Sequence, residues 1–273
     1  MLYMDLKHVL LQPIPDYTAS RAQKIGYREH PLLTIGSRNS EPLVSITEYG
    51  LAGQSYYSRP NSATGKAVEG VDSRVWLRLG LAEKLADINY GLQNSTEVAE
   101  LVGGAVELYI DEGFRSAELQ ANLYDNVFPA IIRQQNPKFT DQQVISLRDE
   151  MIAKPAGKGD SPSPHATGAA VDLRLRFKNP DTGYVAGSEL AMGHARANHI
   201  AQPDYYEYTR PTDKQLQANR RVFYWVMRGA LLGDDSGLVV NPTEYWHWSY
   251  GDQMWAQLRH APQAFYSFAK PTE

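Results

Sequence analysis

The chain of 273 residues contains no cysteine. Disulfides and thiolate metal sites are therefore excluded, and any transition-metal centre must be built from His, Asp and Glu. No apolar run approaches the ~20 residues that a membrane span requires. The N-terminal stretch through Leu11 is interrupted by Asp5, Lys7 and His8. It makes a poor signal-peptide core, so a cytoplasmic protein with no membrane span is expected. Positive charge is not in excess either. The formal net charge is −4, whereas a nucleic-acid partner would call for a basic face. Internal repeats and low-complexity tracts are also missing. What is present is ordinary globular composition, 42% hydrophobic and 21% charged. That supports a substantial core in one large domain, with or without an extension. The 17 Tyr and 5 Trp serve packing or line a ligand groove.

Residues 1 to 40 are punctuated by proline and lack periodicity. They are read as an N-terminal extension on a domain spanning 41–273. Residues 54 to 70, rich in Ser, Gly, Pro and Asn, read as loop. Leu77, Leu81, Leu85 and Ile88 recur at helical spacing, with Asp72 or Ser73 as a possible cap. Ala105 to Asp111 alternates, placing Val106, Leu108 and Ile110 on one face and Glu107, Tyr109 and Asp111 on the other, which predicts a half-buried strand. A helix is expected after Ser116, and Pro129 should kink or end it. Thr140 and Gln143 fit a capping box ahead of Val144, Leu147 and Met151. Ala169 to Phe177 alternates again. A long helix is predicted from about Asp213 to Leu232, with Thr212 and Gln215 as its capping box and Gly233 as its stop. Strands and helices mix without a βαβ rhythm. The expected class is α+β, a small antiparallel sheet with helices packed on one face and the metal site at the sheet.

Three short segments carry chemistry. In Ser163-Pro-His165-Ala-Thr-Gly168-Ala-Ala-Val-Asp172, Gly168 permits a tight turn between His165 and a strand whose polar face holds Asp172. A neutral imidazole and a carboxylate can thus converge on one cation, and zinc accepts both. In Pro242-Thr-Glu244-Tyr-Trp-His247-Trp, Glu244 and His247 share a face only if the backbone turns, because in a straight strand they would point oppositely. A metallopeptidase needs this pair: a His on the metal, and a Glu that takes the proton of the attacking water. In Asp111-Glu-Gly113-Phe-Arg115-Ser116, a fixed guanidinium after a strand can stabilise an oxyanion. Each piece has a plainer reading. A lone histidine beside an apolar strand is more often a hydrogen-bonded structural residue. Arg115 taken alone reads as an ion-pair partner of Asp111 or Glu112, and Glu244 as a solvated carboxylate.

Taken together and in this order, Ser-x-His-x-x-Gly-x-Ala-x-Asp followed about 75 residues later by Glu-x-Trp-His resembles the D-alanyl-D-alanine dipeptidase family of zinc peptidases, relatives of zinc D,D-carboxypeptidases. The Asp111 to Ser116 segment is similar to that family's Asp-x-Gly-Tyr-Arg-Pro. The resemblance covers roughly residues 41 to 257. It implies an α+β fold and Zn2+ held by His165, Asp172 and His247. It further implies Glu244 as catalytic base, Arg115 as transition-state arginine, Ser163 near the substrate, and a small D,D-dipeptide as that substrate.

Phe114, Ser116 and Tyr245 depart conservatively from the family pattern. A larger departure follows Met192-Gly193, where Ala197 occupies the position of the family's ammonium-binding Asp. Asp181, Glu189 or Asp204 could supply that charge from a shifted loop. Three rival functions remain: a D,D-carboxypeptidase acting on longer cell-wall peptides, a zinc-containing binding module without activity, and a serine hydrolase on Ser163 and His165. The retention of Glu244 and Arg115 argues against the second. The missing G-x-S-x-G elbow argues against the third.

Overall fold

In a computed structural model of the chain, the described residues are 5–15, 27, 30–32, 39–61, 65–69, 71–157, 160–179, 187–192, 214–242 and 244–269. Two long alternating segments form the centre of the fold, β4 (Ala105–Glu112) and β5 (Ala170–Asn179). They pair antiparallel with Tyr109 opposite Arg174 and Leu108 opposite Leu175. Val106, Leu108, Ile110, Val171, Leu173, Leu175 and Phe177 are all buried in one core. Each such side chain contributes roughly 1.5–3 kcal/mol. A one-residue slip would turn all of them to the opposite face, so the apolar pattern sets the register.

The core face is covered by α2 (Leu79–Asn94), α3 (Thr96–Val102) and α7 (Lys214–Met227). Leu81, Leu85 and Ile88 of α2 and Val222, Phe223, Val226 and Met227 of α7 join the same core. The sheet is completed by β2 (Ala52–Gly53), β6 (Val239–Asn241) and β7 (Glu244–Ser249), in the order β2-β4-β5-β7-β6. The fold is α+β as expected, but the sheet is not wholly antiparallel: β2 runs parallel to β4 at the edge. A two-stranded ribbon of β1 (Leu43–Ser45) and β3 (Trp76–Arg78) lies beside it. A second small core of Val68, Leu123, Tyr124 and Ile152 sits with α4 (Ala117–Asn122), α5 (Phe128–Gln135) and α6 (Asp141–Met151). Near the N-terminus, α1 (Leu6–Leu10) packs on α3 and α7 and buries Leu10 completely. No helix among the described residues is long and apolar enough to cross a membrane.

Several local expectations hold. Ser116 caps α4, and Thr140 and Gln143 form the full capping box of α6. Others need correction. Leu77 is buried in β3, not in the helix, which begins at Leu79 without a side-chain cap. Asp72 instead accepts from the Arg74 backbone N–H and side chain. Helical spacing across Leu77 and Leu81 is coincidental, because both a strand and a helix bury residues in this core. Pro129 does not end its helix. The chain passes through a π-helical stretch at Leu123–Val127 and continues as α5. The wider turn accommodates a ring that has no N–H to donate and would crowd a preceding carbonyl. The helix expected to reach Leu232 stops at Met227. The Ser236 hydroxyl donates to the Met227 carbonyl at 2.6 Å, and the first left-handed glycine after the helix is Gly229 rather than Gly233. Thr212, its expected cap, lies outside the described residues.

Candidate metal centre and active site

The polar face of the sheet, opposite the core, holds the candidate site. Asp172 of β5 stands directly across from His247 of β7 in the strand register. His165 arrives from a short 3₁₀ turn, Pro164–Thr167, that leads into β5. Ser163 caps this turn by accepting from the Ala166 N–H. Gly168 closes it with φ +71°, and a Cβ there would lie 2.4 Å from Leu43 Cδ2. The left-handed conformation favours glycine, and any side chain would also push the Leu43 side chain aside. His165 Nε2 lies 3.5 Å and His247 Nδ1 3.2 Å from Asp172 Oδ1, and the two imidazoles are perpendicular with ring centres 4.8 Å apart. One ligand atom from each of the three residues lies within 4.8 Å of the others, and all three side chains are buried.

The remaining imidazole nitrogens are engaged behind the site. His165 Nδ1 lies 2.9 Å from the Gly113 carbonyl, which can only accept, so this nitrogen carries the proton and Nε2 offers its lone pair. His247 Nε2 lies 3.5 Å from Ser249 Oγ. Burial opposes a charge on His165, but the Asp172 carboxylate outweighs it and raises the imidazole pKa above its ordinary value. Two nitrogen donors around one carboxylate, each backed by a second hydrogen-bonding group, is a donor set that suits a transition metal better than calcium or magnesium, which prefer oxygen ligands.

Glu244 opens β7, and its Oε2 lies 3.7 Å from His247 Nδ1. In a regular strand these side chains would diverge. The pairing of β6 with β7 explains why they do not. Val240 and Asn241 are adjacent, yet their partners are Trp248 and Glu244, so the register shifts by three residues of β7 between them. The irregularity returns Glu244 to the side of His247, and the Asn241 amide donates to Glu244 Oε2 at 2.7 Å.

A second bulge positions the arginine. Ile110 pairs with Leu173 and Glu112 with Asp172, leaving Asp111 as the extra residue. Asp111 turns to Arg59 and Arg174, at 3.4 and 3.1 Å. Glu112 takes Arg115 in a two-point clamp, Nε to Oε1 at 2.8 Å and Nη2 to Oε2 at 2.6 Å, while Nη1 donates to Gln120 Oε1 at 2.7 Å. Burial of Arg115 would disfavour its charge, but Glu112 overrides this and raises the guanidinium pKa further. Of the two ion-pair partners open to Arg115 in the sequence, the structure selects Glu112. Gly113 lies between them with no room for a side chain, since a Cβ would sit 2.4 Å from the Trp76 carbonyl.

Gln120 and Asn241 have no role assigned from the sequence, and Glu112 has only that of a possible partner of Arg115. Only Glu112 carried a signal, its nearness to Arg115. Glu189, one candidate for the ammonium-binding charge, is bound to Arg174 at 2.7 Å. Ala197, Asp181 and Asp204 lie outside the described residues.

The model of the peptidase family described as D-ala-D-ala dipeptidase matches residues 47–271. A D-alanyl-D-alanine dipeptidase of Synechocystis sp. is 26% identical over 242 residues, which cover 83% of this chain and 89% of that protein. The match takes in the sheet, both bulges and every residue of the site described above, and on it the chain belongs to the D-Ala-D-Ala dipeptidase family of peptidases.

Proposed function

We propose that this chain is a zinc-dependent hydrolase of a D-alanyl-D-alanine-type dipeptide, with His165, Asp172 and His247 as metal ligands and Glu244 as the base. The observation that carries the reading is the convergence of three buried donor atoms, with the Glu244 carboxylate 3.7 Å from one of the imidazoles. Family membership supports the peptidase class. Zinc bound there would supply Lewis acidity, polarising the scissile carbonyl and bringing the pKa of water to about 7.

The protein groups then have separable tasks. Glu244 takes a proton from the attacking water and delivers it to the leaving amine. Asn241 fixes the orientation of that carboxylate through its 2.7 Å hydrogen bond. Arg115 stabilises the oxyanion. A guanidinium has five N–H donors, and Glu112 and Gln120 engage three of them. The remaining two are held rigid by that clamp and can serve the developing charge. Ser163, beside the His165 turn, is assigned to the substrate. Residues 1–40 are assigned as an extension of a peptidase domain spanning 41–273.

A second reading is a D,D-carboxypeptidase of longer wall peptides. Ala197, at the position of the family's ammonium-binding Asp, favours it. The test is turnover of a panel of D,D-, L,D- and L,L-dipeptides with zinc supplied. Cleavage confined to D,D-dipeptides is expected, and no turnover of any of them would overturn the reading.

A further inference from the structure

Behind His247 the chain makes a turn at Tyr250 and Gly251 and buries an aspartate, Asp252, with no exposed surface. Its Oδ1 accepts the Trp255 N–H at 2.8 Å and caps α8 (Gln253–Leu258). Its Oδ2 is buried and has no hydrogen-bond partner among the described residues. Capping alone does not account for this residue. Ser, Thr or Asn caps a helix about as well without burying a charge, and an uncompensated buried carboxylate costs several kcal/mol. Burial raises the Asp252 carboxyl pKa, and the groups that oppose this are the Trp255 N–H, the nearby Ser249 hydroxyl and the imidazoles of His247 and His165. Ser249 Oγ, itself fully buried, is also the group 3.5 Å from His247 Nε2.

We propose that Asp252, acting through Ser249, is a positioning residue for His247. In this arrangement the Ser249 hydroxyl turns its proton toward the otherwise unpartnered Asp252 Oδ2, and its oxygen receives the His247 Nε2–H. That proton assignment leaves the Nδ1 lone pair facing Asp172 and His165. Carboxylate or carbonyl groups behind metal-bound imidazoles commonly fix tautomer and ring orientation in this way. Here His165 uses the Gly113 carbonyl directly, while His247 uses a hydroxyl backed by a buried carboxyl group.

The proposal rests on the reading of His165, Asp172 and His247 as metal ligands, so the experiment separates the two. Ser249→Ala removes the link without touching the helix cap. Asp252→Asn keeps a capping side chain and replaces the second carboxyl oxygen with an amide nitrogen that cannot accept. Zinc affinity is measured by chelator competition on the full chain, and the His247 tautomer is read in metal-free protein from imidazole ¹⁵N shifts. Both variants are expected to fold, to bind zinc 10- to 100-fold more weakly, about the range for groups behind ligands, and to lose the single Nε2–H tautomer of the parent. Unchanged affinity and unchanged tautomer in both would overturn the proposal. Weakened binding in Asp252→Asn alone would overturn the route through Ser249. Should the parent bind no zinc, the ligand reading fails, and the tautomer comparison still decides whether Ser249 and Asp252 orient His247.

Discussion

His165 and Gly113 are joined across 52 positions of sequence by a 2.9 Å hydrogen bond from the imidazole Nδ1–H to the glycine carbonyl. Two residues on, the Arg115 N–H returns a bond to the His165 carbonyl at 3.1 Å. The turn that carries Arg115 and the turn that carries His165 are therefore one unit. Gly113→Ala is expected to separate them, because its Cβ would meet the Trp76 carbonyl at 2.4 Å. A loss of roughly 1–3 kcal/mol in folding stability, with weaker zinc binding, would appear in urea titration and chelator competition. Unaltered values in both would refute the coupling.

Zinc content tests the ligand set directly. The purified chain is expected to carry about one zinc per molecule. Asp172→Ala and His247→Ala should lose most of it. Metal analysis after dialysis gives the answer, and full occupancy in both variants would dismiss the assignment.

Removing the base should leave the metal in place. Glu244→Ala is expected to keep zinc while kcat falls on the order of 10²-fold or more. Arg115→Ala should lose a comparable amount through the oxyanion. Steady-state kinetics beside metal analysis tests both, and near-normal kcat in the zinc-loaded Glu244 variant would sink the mechanism.

Ala197 bears on substrate choice. On the reading that neither Ala197 nor a nearby carboxylate serves the free ammonium, N-acetylation of D-alanyl-D-alanine should reduce kcat/KM by less than the ~10⁴-fold that a site built on a specific polar contact enforces. Free and acetylated dipeptides are compared side by side. Robust cleavage of the first and none of the second would mean that another group supplies the charge.

Asp235 contributes to acid stability. Burial works against the charge of Asp235, but bonds from Arg259 and the Gly237 N–H, with Arg228 nearby, outweigh it and lower the carboxyl pKa. A carboxylate with a depressed folded pKa contributes stability that is present above its unfolded value of about 3.9 and is lost as pH falls through the folded value. The pair is partly solvated, so Asp235→Asn should cost about 1 kcal/mol or less near neutral pH. The difference should close as pH drops through the acid range. Urea midpoints of the two proteins across pH will show whether it does.

Much of this molecule is readable locally. The period-2 patterns of Val106 to Ile110 and Val171 to Phe177 define both central strands, because burial on one face leaves a direct trace in composition. The capping box at Thr140 is equally local. His165, Gly168 and Asp172 lie close enough in sequence for a turn and a strand to bring them together. Other features depend on partners distant in sequence. Helical spacing could not separate Leu77 from α2, since strand and helix bury residues in the same core. Glu244 and His247 share a side only because the β6–β7 register shifts between Val240 and Asn241, and Asp111 and Glu112 find separate arginines only because β5 skips one residue of β4. Asn241 and Asp252 carry no signal of their own. Their roles arise from which buried groups the folded chain places against them, since a hydrogen bond or a desolvated charge is defined by both partners. The sequence alone thus determined the residue types that can hold a metal and their approximate elements. The bulges, the clamp on Arg115 and the groups behind each imidazole were decided by tertiary pairing.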